Sequence, residues 1–238
     1  MNINIFLLCY NENILLPHTI AHYKKYLPSC KITIYDNESE DNSVELAKSL
    51  GCEVISWSSG NIIDDFKYKE IKNNCWKEIK DGWIIMADMD EWLCVTEDEL
   101  RDEMNKGTSL LNIQGLDMIG ESNTEDLSDI DLHTINKYNN SRLESKRLCF
   151  LRNKITEMNY GLGAHGCSPR GNVKSSKNSY KNKHMSYLGL PFLINKMIKR
   201  HERSALMRSK GLGSHYTKDI IKIRRNYNSQ LSTSKIIE

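Results

Sequence analysis

A chain of 238 residues is long enough for one large domain, or for a domain with an appendage. Hydrophobic residues at 39% and charged residues at 27% exclude a disordered or fibrous chain, and a net charge of only +2 excludes a molecule built as a whole to grip nucleic acid. Residues 1–9 are too short for a signal peptide, no apolar run reaches membrane-spanning length, and seven scattered cysteines with no C-x-x-C pair read as reduced core thiols, so a cytoplasmic protein is expected.

Residues 3–9 form an apolar strand broken by Tyr10-Asn11-Glu12-Asn13. Residues 14–27 carry helical spacing, with Pro17 in the first turn and Pro28 ending the run. A second strand over 31–35 leads into the polar loop 36–41. Asn42 is expected to cap a helix with Glu45 in the capping-box position, and Gly51 closes it. A third strand is predicted over 52–57, a helix over 64–79, and a fourth strand from Gly82 into Asp88-Met89-Asp90-Glu91. Thr96, with Glu99 three residues on, caps another helix.

Strands alternating with helices predict right-handed crossovers and a mostly parallel, Rossmann-like sheet with helices on both faces. Ligands of such sheets bind beyond the carboxyl ends of the strands, and Asn11-Glu12, the Asp36 loop and Asp88-Met89-Asp90 all fall there. The run 83–87 reads as a strand buried on both faces, so carboxylates at its end need compensation. In extended chain Asp88 and Asp90 point the same way, and two hard oxygen ligands suit Mg2+ or Mn2+ together with phosphate oxygens. No G-x-G-x-x-G follows the first strand, and no P-loop is present.

In the second half, a strand over 108–113 precedes an acidic stretch read as a surface excursion, with Asp117, Glu121, Glu125, Asp126, Asp129 and Asp131. A short strand covers 147–152, and the glycine-rich 159–167 is a candidate binding loop or a hairpin turn. Residues 158–201 contain no acid. The Lys-, Ser- and Asn-rich segment around His184 is expected to be mobile when empty, 190–207 to be a helix with a basic face, and the tail from Ser229 to fray. That basic face is a solvated surface, or offsets a diphosphate, or meets an anionic membrane.

Four motifs in order, Asn11-Glu12, residues 35–43, Lys72-Asn73-Asn74 and Asp88-Met89-Asp90-Glu91, together resemble a GT-A glycosyltransferase, most closely the family-2-like group of viral and bacterial glycan-building enzymes. The match covers roughly residues 2–106. It implies a nucleotide-sugar-binding half over 1–106 and, over 107–238, a C-terminal extension that binds a glycan or other hydroxyl acceptor and carries the basic helices, the whole forming one continuous domain. It further implies a donor linked to UDP, with Asp36 on the nucleoside, Asn11 and Glu12 beside it, Lys72 near the base or diphosphate, Asp88 on ribose or metal, and Asp90 on Mn2+ or Mg2+ directly. A late histidine often completes such a metal site, and His184 is the candidate, with His165 and His215 as rivals. His165 is otherwise expected at the acceptor. Asp117 or Glu121 would be the base. Where the family commonly has Asp-Asp-Gly this chain has Asp36-Asn37-Glu38, so base recognition differs in detail. Two other classes remain: a nucleotidyltransferase, which should show a glycine- and basic-rich loop after the first strand where this chain has Tyr10-Asn11-Glu12-Asn13, and a non-catalytic nucleotide-sugar-binding module.

Overall fold

A computed structural model describes residues 1–237. The first half follows the predicted alternation: β1 (Ile3–Cys9), α1 (Leu16–Tyr26), β2 (Lys31–Asp36), α2 (Ser43–Ser49), β3 (Glu53–Ser56), α3 (Asp65–Asn74), β4 (Trp83–Asp88), β5 (Glu91–Cys94) and α4 (Glu97–Asn105). The second half is strand-rich: β6 (Leu110–Ser122), β7 (Lys137–Ser141), β8 (Cys149–Leu151), β9 (Ile155–Glu157), β10 (Arg170–Gly171), β11 (Ser175–Gly189), α5 (Leu190–Arg203), α6 (Ala205–Ser209), α7 (Ile220–Ser232) and β12 (Lys235–Ile236).

Ten strands share one sheet, whose main path runs β12-β7-β6-β8-β4-β1-β2-β3. Strands β3, β2, β1 and β4 are mutually parallel. Their side chains divide with period two. Ile3, Ile5 and Leu7 of β1 and Trp83, Ile85 and Ala87 of β4 join the core shared with α1, while Phe6, Leu8, Ile84 and Met86 join the core shared with Trp76, Tyr68 and Ile71. Helices therefore cover both faces, as the unbroken apolar run over 83–87 requires. Beyond β4 the sheet turns antiparallel at β8. The chain leaves β4 through the turn at Met89-Asp90, and β5 pairs not with β4 but with β11, which also lies parallel to β6.

Several expectations are corrected. Asn42 makes no capping hydrogen bond; its neighbour Ser43 instead accepts from the backbone N of Glu12. The predicted strand over 108–113 runs on to Ser122, so Asp117 and Glu121 lie in β6 and only the residues after it form an excursion. The segment around His184 is not a loop but a fifteen-residue strand. Its buried positions mix polar and apolar residues, and the polar ones find partners in place: Tyr180 donates to Glu103 and the Asn182 amide nitrogen to the carbonyl of Glu144. The helix over 190–207 breaks at Ser204. The tail is tied down, because Ile223 and Tyr227 of α7 pack with Leu193 of α5 and β12 pairs with β7. Thr96 and Glu99 form the expected capping box. Among the described residues no helix is long and apolar enough to cross a membrane.

Candidate active site

The site grows from the turn between β4 and β5. Asp88 ends the parallel strand, and its backbone N donates to the Glu91 carboxylate at 2.7 Å, which fixes the turn. Lys72, near the end of α3, places its ammonium 2.7 Å from Asp88 Oδ1. Lys146 comes from the loop before β8 and lies 3.4 Å from Asp88 Oδ2, 2.7 Å from Glu91 and 3.0 Å from Glu144. That loop presses on β6: a Cβ on Gly115 would stand 2.2 Å from the backbone carbon of Glu144, so only glycine lets it approach this closely.

Asp90 faces the other way, toward α5. Its Oδ2 is 2.7 Å from Lys196 Nζ, 3.4 Å from Arg200 Nη2 and 3.4 Å from His184 Nε2. His184 is set by strand register, standing opposite Glu91 on one side and Asp117 on the other. Its Nδ1 lies 2.6 Å from Asp117 Oδ1.

The electrostatics follow from burial opposed by charge. Burial pushes the Asp90 carboxyl up, but Lys196, His184 and Arg200 outweigh it and hold it well below the usual carboxylate range. Asp88 is likewise lowered to about 2, burial being overcome by Lys72 and Lys146. His184 is raised to about 10: burial disfavours its charge, and Asp90 and Asp117 restore it. Burial lifts Glu12 to about 7, with Lys196 pulling against it.

The structure brings Asp88, Asp90, Lys72, His184 and Asp117 into this one cluster. Glu12 stands close enough to Lys196 and Asp90 to feel both. Asn11 and Asp36 lie on the same edge but act on the loop itself. Asn11, in the left-handed region at φ 50°, accepts from the backbone N of Glu40 and Asp41. Both Asp36 oxygens are taken by Ser39, whose hydroxyl donates at 2.5 Å and whose backbone N donates at 3.0 Å. His165 is exposed and shares a hydrogen bond with the Leu143 carbonyl at 3.0 Å. Glu121 forms a surface pair with Lys137. Lys146 and Glu144 carry no sequence motif. The signal that could have found them is physical: two buried carboxylates in Asp88-Met89-Asp90-Glu91 require buried cations from elsewhere.

The chain has a Rossmann-like parallel half with an acid turn after its fourth strand and a strand-rich extension completing the site. No family model matches it, and no curated protein sequence does. Solved structures that resemble it are distant. Staphylococcus aureus TarS is 10% identical, with 98% of this chain and 44% of that one covered at a TM-score of 0.47. Mycobacterium tuberculosis glucosyl-3-phosphoglycerate synthase, solved with Mn2+, UDP and glucosyl-3-phosphoglycerate, is 14% identical over 48% of this chain and 44% of that one, at 0.34. A CMP:2-keto-3-deoxy-manno-octonic acid synthetase complexed with CTP is 8% identical over 49% and 53%, also at 0.34. The chain thus spans less than half the length of the first of these. Identities this low leave the chemistry to be read from the chain's own side chains.

The motif asks for a divalent ion, and the side chains can be tested for one. Among the described residues no three His, Cys, Asp or Glu side chains converge in a way that could hold a metal ion. Asp88, Asp90 and His184 do gather, but as partners in ion pairs: Asp88 with Lys72 and Lys146, Asp90 with Lys196 and Arg200, His184 with Asp117 and Asp90. As arranged, these residues form a lattice of carboxylates and organic cations and do not fit a metal site.

Proposed function

We propose that the chain is a glycosyltransferase that moves a sugar from a nucleoside diphosphate sugar, UDP-linked, to a hydroxyl of a glycan acceptor. The observation that carries this is the cluster of Lys72, Lys146, Lys196 and Arg200 around Asp88 and Asp90, at the edge of the parallel strands where open α/β sheets take their ligands. Cations already fixed in a partly buried site are prepared to receive an anion without rearrangement. In the transfer, the bond from the sugar's anomeric carbon to the diphosphate oxygen breaks and its electron pair stays on the diphosphate. The acceptor oxygen bonds to the anomeric carbon. For an inverting displacement its proton needs a base, and Asp117, oriented by His184, is assigned that part in preference to Glu121 in its surface pair with Lys137. Residues 1–106 would hold the donor through the loop that Asn11 and Asp36 organise, and residues 107–238 the acceptor, with His165 at its entrance.

A thermal-shift panel of nucleotides and nucleotide sugars tests the reading. UDP and one UDP-sugar should raise the melting temperature more than ADP, GDP or CTP. A preference for CTP, followed by pyrophosphate release with a sugar substrate, would point instead to nucleotidyl transfer.

A further inference from the structure

The acid turn is the place where the sequence expects a divalent cation, and it is filled by side chains of the chain itself. Lys196 and Arg200 stand four residues apart on α5, so both project from one face toward one point. That point is Asp90 Oδ2, at 2.7 and 3.4 Å. Asp90 is 4% exposed and the Lys196 side chain 10%. The helix that carries them is anchored independently, through Phe192 in the main core and Leu193 against α7. A hard divalent ion such as Mg2+ would need the carboxylate oxygen at about 2.0–2.1 Å. It would claim the atom that Lys196 now engages and leave a buried ammonium beside a doubly charged ion.

We propose that Lys196 and Arg200, held in place by Asp90, take the part of the divalent ion and neutralise the diphosphate directly. Asp90 is then a positioning residue. It offsets the mutual repulsion of two cations and fixes their direction, and the guanidinium plane of Arg200 offers paired donors to phosphate oxygens. The transfer balances without a metal: the electron pair released with the sugar's anomeric bond stays on a diphosphate oxygen facing Lys196 and Arg200, and the acceptor proton leaves to a carboxylate.

The inference rests on the nucleotide-sugar reading for the identity of the anion, and calorimetry with UDP separates the two. With the full chain, UDP should bind in EDTA and in Mn2+ with affinities equal within about twofold, while Lys196→Gln should lose about tenfold or more in EDTA and Lys196→Arg should recover most of it. The melting temperature of each variant shows whether the fold is kept, and Arg200→Gln gives an independent second variant with the same expected direction. UDP binding that requires Mn2+, or that ignores both substitutions, would overturn the inference and leave the nucleotide reading standing. Absence of UDP binding in both buffers would overturn the two together.

Discussion

The two halves of the sheet are held by different physics. In β1 and β4 the interior is dry: alternate apolar side chains enter opposite cores, and Trp83, Ile84 and Ile85 are completely buried. Around β5, β11, α4 and the loop before β8 the interior also carries buried polar groups. Lys146, Glu91, Asn182 and Glu103 are as buried as the apolar residues of the other half; Lys146 pairs with Glu91, Glu103 accepts from Tyr180, and Asn182 donates to the Glu144 carbonyl while its Oδ1 stays unpartnered. A dry core tolerates only volume-preserving change, whereas a buried ionic lattice holds charges in fixed positions at the strand ends.

The largest effects should separate the halves by how each can be rescued. Lys146→Ala strands Glu91 and Glu144 without their cation and should lower stability by about 3–5 kcal/mol in urea denaturation. Adding Glu91→Gln and Glu144→Gln should recover much of the loss. Ile85→Ala in the dry half should cost about 2–5 kcal/mol and be relieved only by restoring volume, as in Ile85→Val. Equal failure of both rescues would erase the contrast.

Gly115→Ala should come next. Its added methyl meets the backbone of Glu144 and must push the loop carrying Lys146 away, at about 1–3 kcal/mol. Nucleotide binding should weaken along with stability, because the same loop presents Lys146 to Asp88. Unchanged binding would show that Lys146 takes no part in the site.

A smaller effect should appear against pH. The folded pKa of His184 is raised to about 10 from its ordinary 6.5, burial being outweighed by Asp90 and Asp117. A raised folded pKa means that the protonated ring stabilises the folded state, fully below about 6.5 and progressively less as pH rises through about 10. Melting temperature should therefore decline over that window in the parent and decline less in His184→Gln. Parallel pH profiles would contradict this charge assignment. The smallest effect belongs to Glu121→Gln, which removes a surface pair and should change stability by less than about 0.5 kcal/mol and activity not at all.

Legibility in the sequence follows the same division. The parallel half was readable because burial on both faces forces continuous apolar runs such as 83–87, and because Thr96 with Glu99 and the breaks at Pro28 and Gly51 mark the ends of elements. Strand β11 was not, since Ser176, Asn182 and His184 occupy inward or site-facing places where a hydrophobic pattern was sought. The carboxylates of the acid turn were visible by themselves. Their partners were not: Lys146 is brought to Asp88 from 58 residues away by contacts between strands and loops. The basic face of α5 was visible as a face, but its target was not, because Lys196 lies 106 residues from Asp90. Asn42 shows the opposite error, a good local capping pattern in which the residue stands at the N-cap but its side chain makes no capping hydrogen bond.

On the proposed reading, the cations around the acid turn serve transfer of a sugar from a nucleoside diphosphate. UDP release from a panel of UDP-sugars, measured with and without hydroxyl acceptors in the parent and in Lys196→Gln, tests it most directly. One UDP-sugar should turn over, an acceptor should speed the release, and Lys196→Gln should slow it by about tenfold or more. Tight UDP-sugar binding with no release in any combination, or release that is indifferent to Lys196, would contradict the account.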